Sequence, residues 1–186
     1  MLDNFSPRRT LRLTLCAIVL VVAPFVGACD DSPSTPSDGG NLQIMLTDAP
    51  TQAVDRVNVF VSGVIVKRVN RDPEQVTLNL TPNPVDLLTL RNRVVRLAAG
   101  EVPAGQYEYV EIRLDESRSS IVENGVTKTV DITNETIRVT RNFMILEDVQ
   151  TVVTLDFDAS ASLTQLGNGS WRLSPVISVT SSTSEN

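Results

Sequence analysis

Residues 153–157 read Val-Thr-Leu-Asp-Phe, so apolar and polar side chains alternate along the stretch. Side chains two positions apart share one face of a β-strand, which would bury Val153, Leu155 and Phe157 together. The same alternation recurs at Leu42, Ile44 and Leu46; at Val57, Val59 and Val61; at Val110, Ile112 and Leu114; and at Ile137 and Val139. About seven short strands separated by turns predict an all-β, antiparallel β-sandwich.

Turn and break signals divide these strands. Asn124-Gly125 predicts a two-residue hairpin. The apolar positions change parity after Ser62-Gly63, which indicates a β-bulge there. Asn168-Gly169 precedes a last strand, and Pro175 within that strand indicates an edge position or a break.

One stretch differs from the rest. Between Leu87 and Ala99, apolar residues at 87, 90, 94, 97 and 98 fit one helical face, and Gly100 follows as a candidate C-cap. The pattern therefore predicts one short helix, although part of it would also fit a strand with a turn at Arg91-Asn92.

The first 28 residues have the features of a secretory signal. Three arginines within residues 8–12 precede an apolar run from Leu13 to about Phe25, which is shorter than the roughly 20 residues that span a bilayer. The run ends in Val26-Gly27-Ala28-Cys29, which resembles the bacterial lipobox. That resemblance implies cleavage before Cys29 and lipidation of its thiol, so that the acyl chains hold the protein to a lipid bilayer outside the cytoplasm.

The remaining chain divides by composition. Residues 29–40 comprise Cys29 and a tether of Asp, Ser, Pro, Thr and Gly, which cannot build a core. Residues 41–179 form the predicted domain, and residues 180–186 are predicted to be a flexible tail.

Composition excludes several kinds of chemistry. The chain has no histidine, which removes the commonest general base and metal ligand. Only Cys29 remains after cleavage, so an intrachain disulfide and a thiolate zinc site are excluded. The formal net charge is −6; residues 1–28 hold three arginines and one aspartate, so −8 remains without them. An acidic domain repels phosphate backbones, and we expect no nucleic-acid partner.

Paired carboxylates are the one candidate cofactor site. Asp156 and Asp158 share a strand face and, with Asp48, could hold a calcium ion, which prefers several oxygen ligands. The simpler interpretation is a solvated strand face, with Asp48 capping a turn before Ala49-Pro50. We expect no other cofactor.

Aromatic residues are the candidate ligand contacts. Trp171 and Tyr107, with Tyr109, could form a platform for a sugar. The simpler interpretation places Trp171 in the core beside Leu173 and gives Tyr107 a corner-type hydrogen bond.

Catalysis is not expected. Carboxylate pairs suited to glycoside hydrolysis are numerous, and no pair among Glu101, Glu108, Glu111, Glu123 and the aspartates is distinguished. No serine has a histidine base.

Several short motifs in order resemble the bacterial lipoprotein family built on the domain of unknown function numbered 4382. They are Leu46–Pro50, Val57–Val59, Ser62–Val64, Pro84–Leu88, Val102–Tyr107, Leu155–Asp158 and Leu173–Val176. The piece Pro103–Tyr107 also resembles turns in transthyretin-like domains, and that second resemblance implies an immunoglobulin- or prealbumin-like sandwich. The family itself implies no activity. We therefore expect a cell-envelope lipoprotein whose non-catalytic domain binds an envelope protein or glycan. The alternatives are a structural envelope component without a soluble ligand and, third, a carboxylate-based hydrolase.

Overall fold

A computed structural model describes residues 39–49, 54–70, 75–81, 84–91 and 93–185. Its strands are β1 Gly39–Ala49, β2 Arg56–Val59, β3 Val61–Arg68, β4 Gln75–Thr77, β5 Asn79–Leu80, β6 Val85–Asp86, β7 Val95–Pro103, β8 Gly105–Leu114, β9 Ser120–Glu123, β10 Val126–Lys128, β11 Val130–Ile132, β12 Thr136–Ile145, β13 Gln150–Asp158, β14 Leu163–Gln165, β15 Trp171–Leu173 and β16 Ile177–Glu185. Short helical segments are 3-10 turns at Leu87–Leu90 and Glu116–Arg118 and the helix α1 at Ala159–Ser162.

Two larger sheets enclose the core. The mixed sheet has the strand order β16-β13-β1-β7-β5, and the antiparallel sheet has the order β12-β8-β3-β4. Two smaller sheets have the strand orders β10-β9-β2-β6 and β11-β15-β14. Apolar side chains of all four sheets form one buried cluster. The prediction of an all-β sandwich is confirmed, and the described residues contain one short α-helix, although it is α1 and not the stretch where the helix was predicted.

Alternation along β13 builds the centre of the mixed sheet. Val153, Leu155 and Phe157 are buried, while the residues between them are partly exposed. β1 runs parallel to β13, with Leu46 opposite Leu155. This pairing joins strands about a hundred residues apart, so the two apolar faces form one surface.

The local turn signals are confirmed. Asn124 and Gly125 both have positive φ and connect β9 to β10. The β3–β8 ladder shifts register between Val61 and Gly63, which is the predicted bulge. The predicted last strand is interrupted around Pro175, and its two parts, β15 and β16, belong to different sheets. Another break, at Phe60, separates Val61 from Val57 and Val59, which the alternation had placed in one strand.

The helix predicted at residues 87–99 is wrong. The helical part of the described stretch is a 3-10 turn at Leu87–Leu90. Val95–Pro103 is strand β7, and Gly100 lies inside this strand rather than at a helix end. β7 pairs with β1, which would otherwise be the edge of its sheet. These ladder hydrogen bonds outweigh a helical period that contains β-branched valines.

Two predicted boundaries are also wrong. Gly39 and Gly40, assigned to the tether, begin β1, where a Cβ on Gly40 would clash with the carbonyl oxygen of Leu146. Glycine lets the two backbones approach closely. From composition alone, the same glycines had indicated a flexible tether. Residues 180–185, assigned to the tail, belong to β16, which pairs with β13 as far as Glu185. Residues 180–184 are exposed serines and threonines, so they give no apolar signal.

Candidate functional site

The outer face of the antiparallel sheet gathers the charged groups with the most developed geometry. Glu111 on β8 lies opposite Arg138 on β12 and Ile65 on β3. Directly opposed residues point to the same side of a sheet, and Arg113, two positions after Glu111, shares that side. We call Lys67, Tyr109, Glu111, Arg113 and Arg138 the arginine-rich face.

Glu111 lies at the centre of this face. Its side chain is only 1% exposed, yet both carboxylate oxygens are hydrogen-bonded. Arg113 donates from Nε to Oε1 at 2.9 Å, and its Nη2 also lies 2.9 Å from Oε1 as an ion pair. Arg138 donates from Nε to Oε2 at 2.8 Å. Charge-assisted hydrogen bonds of this kind fix both guanidiniums relative to the sheet.

Burial and the two arginines act in opposite directions on the pKa of Glu111. Burial raises it, but the hydrogen bonds from Arg138 and Arg113 and their positive charges outweigh burial, so the pKa lies below its ordinary value. The hydrogen bond that Arg138 donates to Glu111 raises the pKa of Arg138. Glu111 is therefore ionised at neutral pH and is a poor proton donor.

The other members of the face support the arginines. The Arg138 guanidinium lies 5.2 Å from the centre of the Tyr109 ring, and Lys67 Nζ lies 5.9 Å from the same centre. Lys67 also forms an ion pair with Glu108 at 3.2 Å. The stem of Arg113 passes over Gly63, where an added Cβ would lie 3.6 Å from Arg113 Cδ.

Only part of the arginine-rich face could be predicted from the sequence. Glu111 and Arg113 stand two apart in an alternating strand, which places them on one side. Arg138 is 27 positions from Glu111, and only the register of β8 against β12 shows that they meet. The pattern had instead suggested Glu111 as one of many carboxylates for hydrolysis.

The structure does not bring the three candidate calcium ligands together. Asp48 is paired with Phe157 and shares its buried side, whereas Asp156 and Asp158 alternate with Phe157 along β13. Asp48 Oδ1 accepts a hydrogen bond from Ala159 N at 2.8 Å, and Asp158 caps α1 by accepting from Ala161 N. Within the described residues, no group of three or more acidic or cysteine side chains is arranged to hold a metal ion.

Tyr107 is a core residue. It is 0% exposed, donates its hydroxyl to the Pro103 carbonyl at 2.7 Å, and stacks on Phe143 with ring centres 5.4 Å apart. The hydrogen bond confirms the expected corner. Such burial leaves no exposed surface of Tyr107 for a sugar.

Trp171 is 5% exposed and packs in the core with Leu173. Its Nε1 has no hydrogen-bond partner at ordinary distance and angle among the described residues. Glu123 is nearby: its pKa is lowered chiefly by the hydrogen bond from Lys128 and, to a smaller extent, by the indole N–H. Trp171 as a ligand contact stays a prediction.

Cys29, the predicted lipidation site, lies outside the described residues, as does the whole predicted signal. In the part that is described, no helix is both long and apolar enough to cross a bilayer.

These features define an all-β domain with a charged sheet face, and the chain belongs to the family described as Domain of unknown function (DUF4382), whose model matches residues 39–175. No curated protein and no solved structure matches the chain.

Proposed function

We propose that the chain is a lipid-anchored protein of the cell envelope, and that its β-sandwich binds a partner without catalysing a reaction. The observation that carries the anchor is the lipobox-like sequence Val26-Gly27-Ala28-Cys29 at the end of the apolar run, and the short stretch from Cys29 to the first strand adds a limit on distance. β1 begins at Gly39, ten positions after Cys29. Ten residues reach at most roughly 35 Å when fully extended, so acyl chains on Cys29 would keep the domain near the bilayer.

The strand directions show which end of the domain the tether joins. The first residues of β1 lie beside the end of β7, at Pro103, and beside the start of β13, at Gln150. A lipid anchor on Cys29 would therefore be attached at this end of the sandwich. The end that holds α1 and the Asp48 carboxylate is the end farther along β1 from the point of attachment.

A binding role fits the side chains better than catalysis. The most buried carboxylate of the arginine-rich face, Glu111, is held ionised by two arginines, which suits orientation of charge rather than proton transfer. The absence of histidine from the chain also removes the usual base. Nothing in this arrangement requires a cofactor.

The anchor is tested by substitution of single cysteines. Cells producing the unaltered chain should incorporate radioactive palmitate into it, and the product should sediment with membranes. Cys29→Ser should abolish both results, whereas Cys16→Ser, which changes the other cysteine, should preserve them. Continued labelling and sedimentation of the Cys29→Ser product would overturn the proposal.

The binding role is tested separately. Immobilised protein should retain a specific envelope protein or glycan from solubilised envelopes. A deletion that weakens the envelope while the protein retains nothing under any condition would favour a structural component instead.

A further inference from the structure

The two guanidiniums of the arginine-rich face are fixed in place but keep free donors. A guanidinium carries five N–H groups. Glu111 engages Nε and Nη2 of Arg113 and Nε of Arg138. The two arginine side chains are 48% and 59% exposed. Further N–H groups of both arginines are therefore accessible, at positions that the sheet and the carboxylate hold constant.

Charge on this face opposes that of the whole domain. Glu111 neutralises one of the two guanidiniums that contact it, and Lys67 adds a cation balanced by Glu108. The cluster thus retains positive charge, although the chain from Cys29 onward has a formal charge of −8. A local positive area on an acidic protein attracts anions selectively to that area.

The surroundings favour a polar ligand. Thr136 lies opposite Arg113, Thr140 lies opposite Tyr109, and both threonines are exposed. Tyr109 of this face and Ile65, which lies opposite Glu111, are both buried. The face therefore lacks the accessible apolar centre that is typical of protein interfaces, and it offers charge and hydroxyl groups to a saccharide instead.

We propose that Arg113 and Arg138, held by Glu111, bind the oxyanion of an acidic saccharide, a carboxylate or phosphate group carried on a sugar chain. Each guanidinium forms paired hydrogen bonds with the two oxygens of such a group. Exposed threonine hydroxyls then contact the sugar hydroxyls. This inference names the ligand class of the proposed binding role and does not depend on the lipid anchor. Glu111 is a positioning residue in this site.

The test is a nuclear magnetic resonance titration of the full chain in a non-ionic detergent, observing the arginine Nε–H groups. The probes are a galacturonate trimer, inorganic phosphate, a neutral galactose trimer and a short polyglutamate peptide. The galacturonate trimer or phosphate should shift the signals of Arg113 and Arg138 until saturation. The neutral trimer should leave them unchanged. The more strongly bound anion identifies carboxylate or phosphate as the preferred group.

Variants separate this site from general charge effects. Because loss of both guanidiniums would leave Glu111 buried and unpaired, the variant E111Q/R113Q/R138Q neutralises all three residues together. It should bind the anion at least tenfold more weakly. Arg172→Gln is the matched control, since Arg172 pairs with Asp131 at 2.7 Å on another sheet. Its affinity should equal that of the unaltered chain.

A second variant covers the case in which the triple variant does not fold. Arg138→Lys keeps the charge but loses the planar donor pair, and should weaken binding severalfold. Non-saturating shifts, an equal response of Arg172, or unchanged affinity in Arg138→Lys and the triple variant would overturn the inference. Tighter binding of polyglutamate than of the galacturonate trimer and of phosphate would overturn the assignment to a saccharide. If the unaltered chain and the variant E111Q/R113Q/R138Q retain an envelope component equally, this inference fails while the proposed binding role stands.

Discussion

The hydroxyl of Tyr107 donates to the carbonyl oxygen of Pro103 across 2.7 Å, and so joins the end of β7 to the beginning of β8. These strands belong to different sheets, so the hydrogen bond fixes the corner between the mixed sheet and the antiparallel sheet. The ring of Tyr107 is fully buried against Phe143.

Tyr107→Phe should lower the free energy of unfolding by about 1 kcal/mol, because the ring stays packed while a buried hydrogen bond is lost. Urea denaturation followed by circular dichroism measures the change. Tyr109→Phe is the control, since within the described residues its hydroxyl accepts a long hydrogen bond from Gln75, at 3.3 Å. Equal losses in the two variants would contradict the corner role.

Glu111 should make stability depend on pH in the acid range. Its pKa in the folded protein is lowered from 4.5, because the hydrogen bonds and charges of the arginines outweigh the effect of burial. A lowered pKa contributes stability that is present above pH 4.5 and is lost as pH falls through the folded-state value. Glu111→Gln should therefore show a smaller loss of stability than the unaltered protein below that pH. Parallel acid-unfolding curves for the two proteins would exclude this contribution.

Asp48 should stabilise the start of α1. Asp48→Ala removes the buried acceptor for Ala159 N and should lower the free energy of unfolding by about 1–3 kcal/mol. Asp156→Ala, on the partly exposed side of the adjacent strand, should change it by less than about 0.5 kcal/mol. Thermal and urea unfolding of both variants measure the difference, and the reverse order would contradict the assignment.

Calcium at millimolar concentration should leave the melting temperature unchanged. Asp48 and Asp156 project from opposite sides of the mixed sheet, so they cannot ligate one ion. Differential scanning fluorimetry with calcium, and with magnesium as a control, tests this expectation. A saturable increase that Asp156→Asn abolishes would establish a calcium site at this strand.

The period of apolar residues predicted the strands that bury one face, including β1, β8 and β13. It could not show that β1 runs parallel to β13, because that pairing depends on the packing of residues far apart in the chain. The second half of β16, residues 180–185, escaped prediction for a different reason. It pairs with β13, but its exposed serines and threonines contribute no hydrophobic pattern.

The candidate site was predictable only in its local parts. Alternation placed Glu111 beside Arg113, and it also placed Asp156 beside Asp158. Alternation along one strand does not show which residues of two strands are paired. That register brings Arg138 to Glu111 and separates Asp48 from Asp156. Tyr107 was interpretable because its hydrogen bond reaches only four residues back along the chain.

The position of β1 at the middle of the five-stranded sheet has a consequence for assembly. Its neighbours are β7 and β13, and β13 ends only at Asp158. A growing polypeptide therefore has to hold its first strand unpaired on one edge until most of the remaining chain has been synthesised. Contacts of such long sequence separation delay folding. The five-stranded sheet is therefore completed only after the late strand β13 has been synthesised.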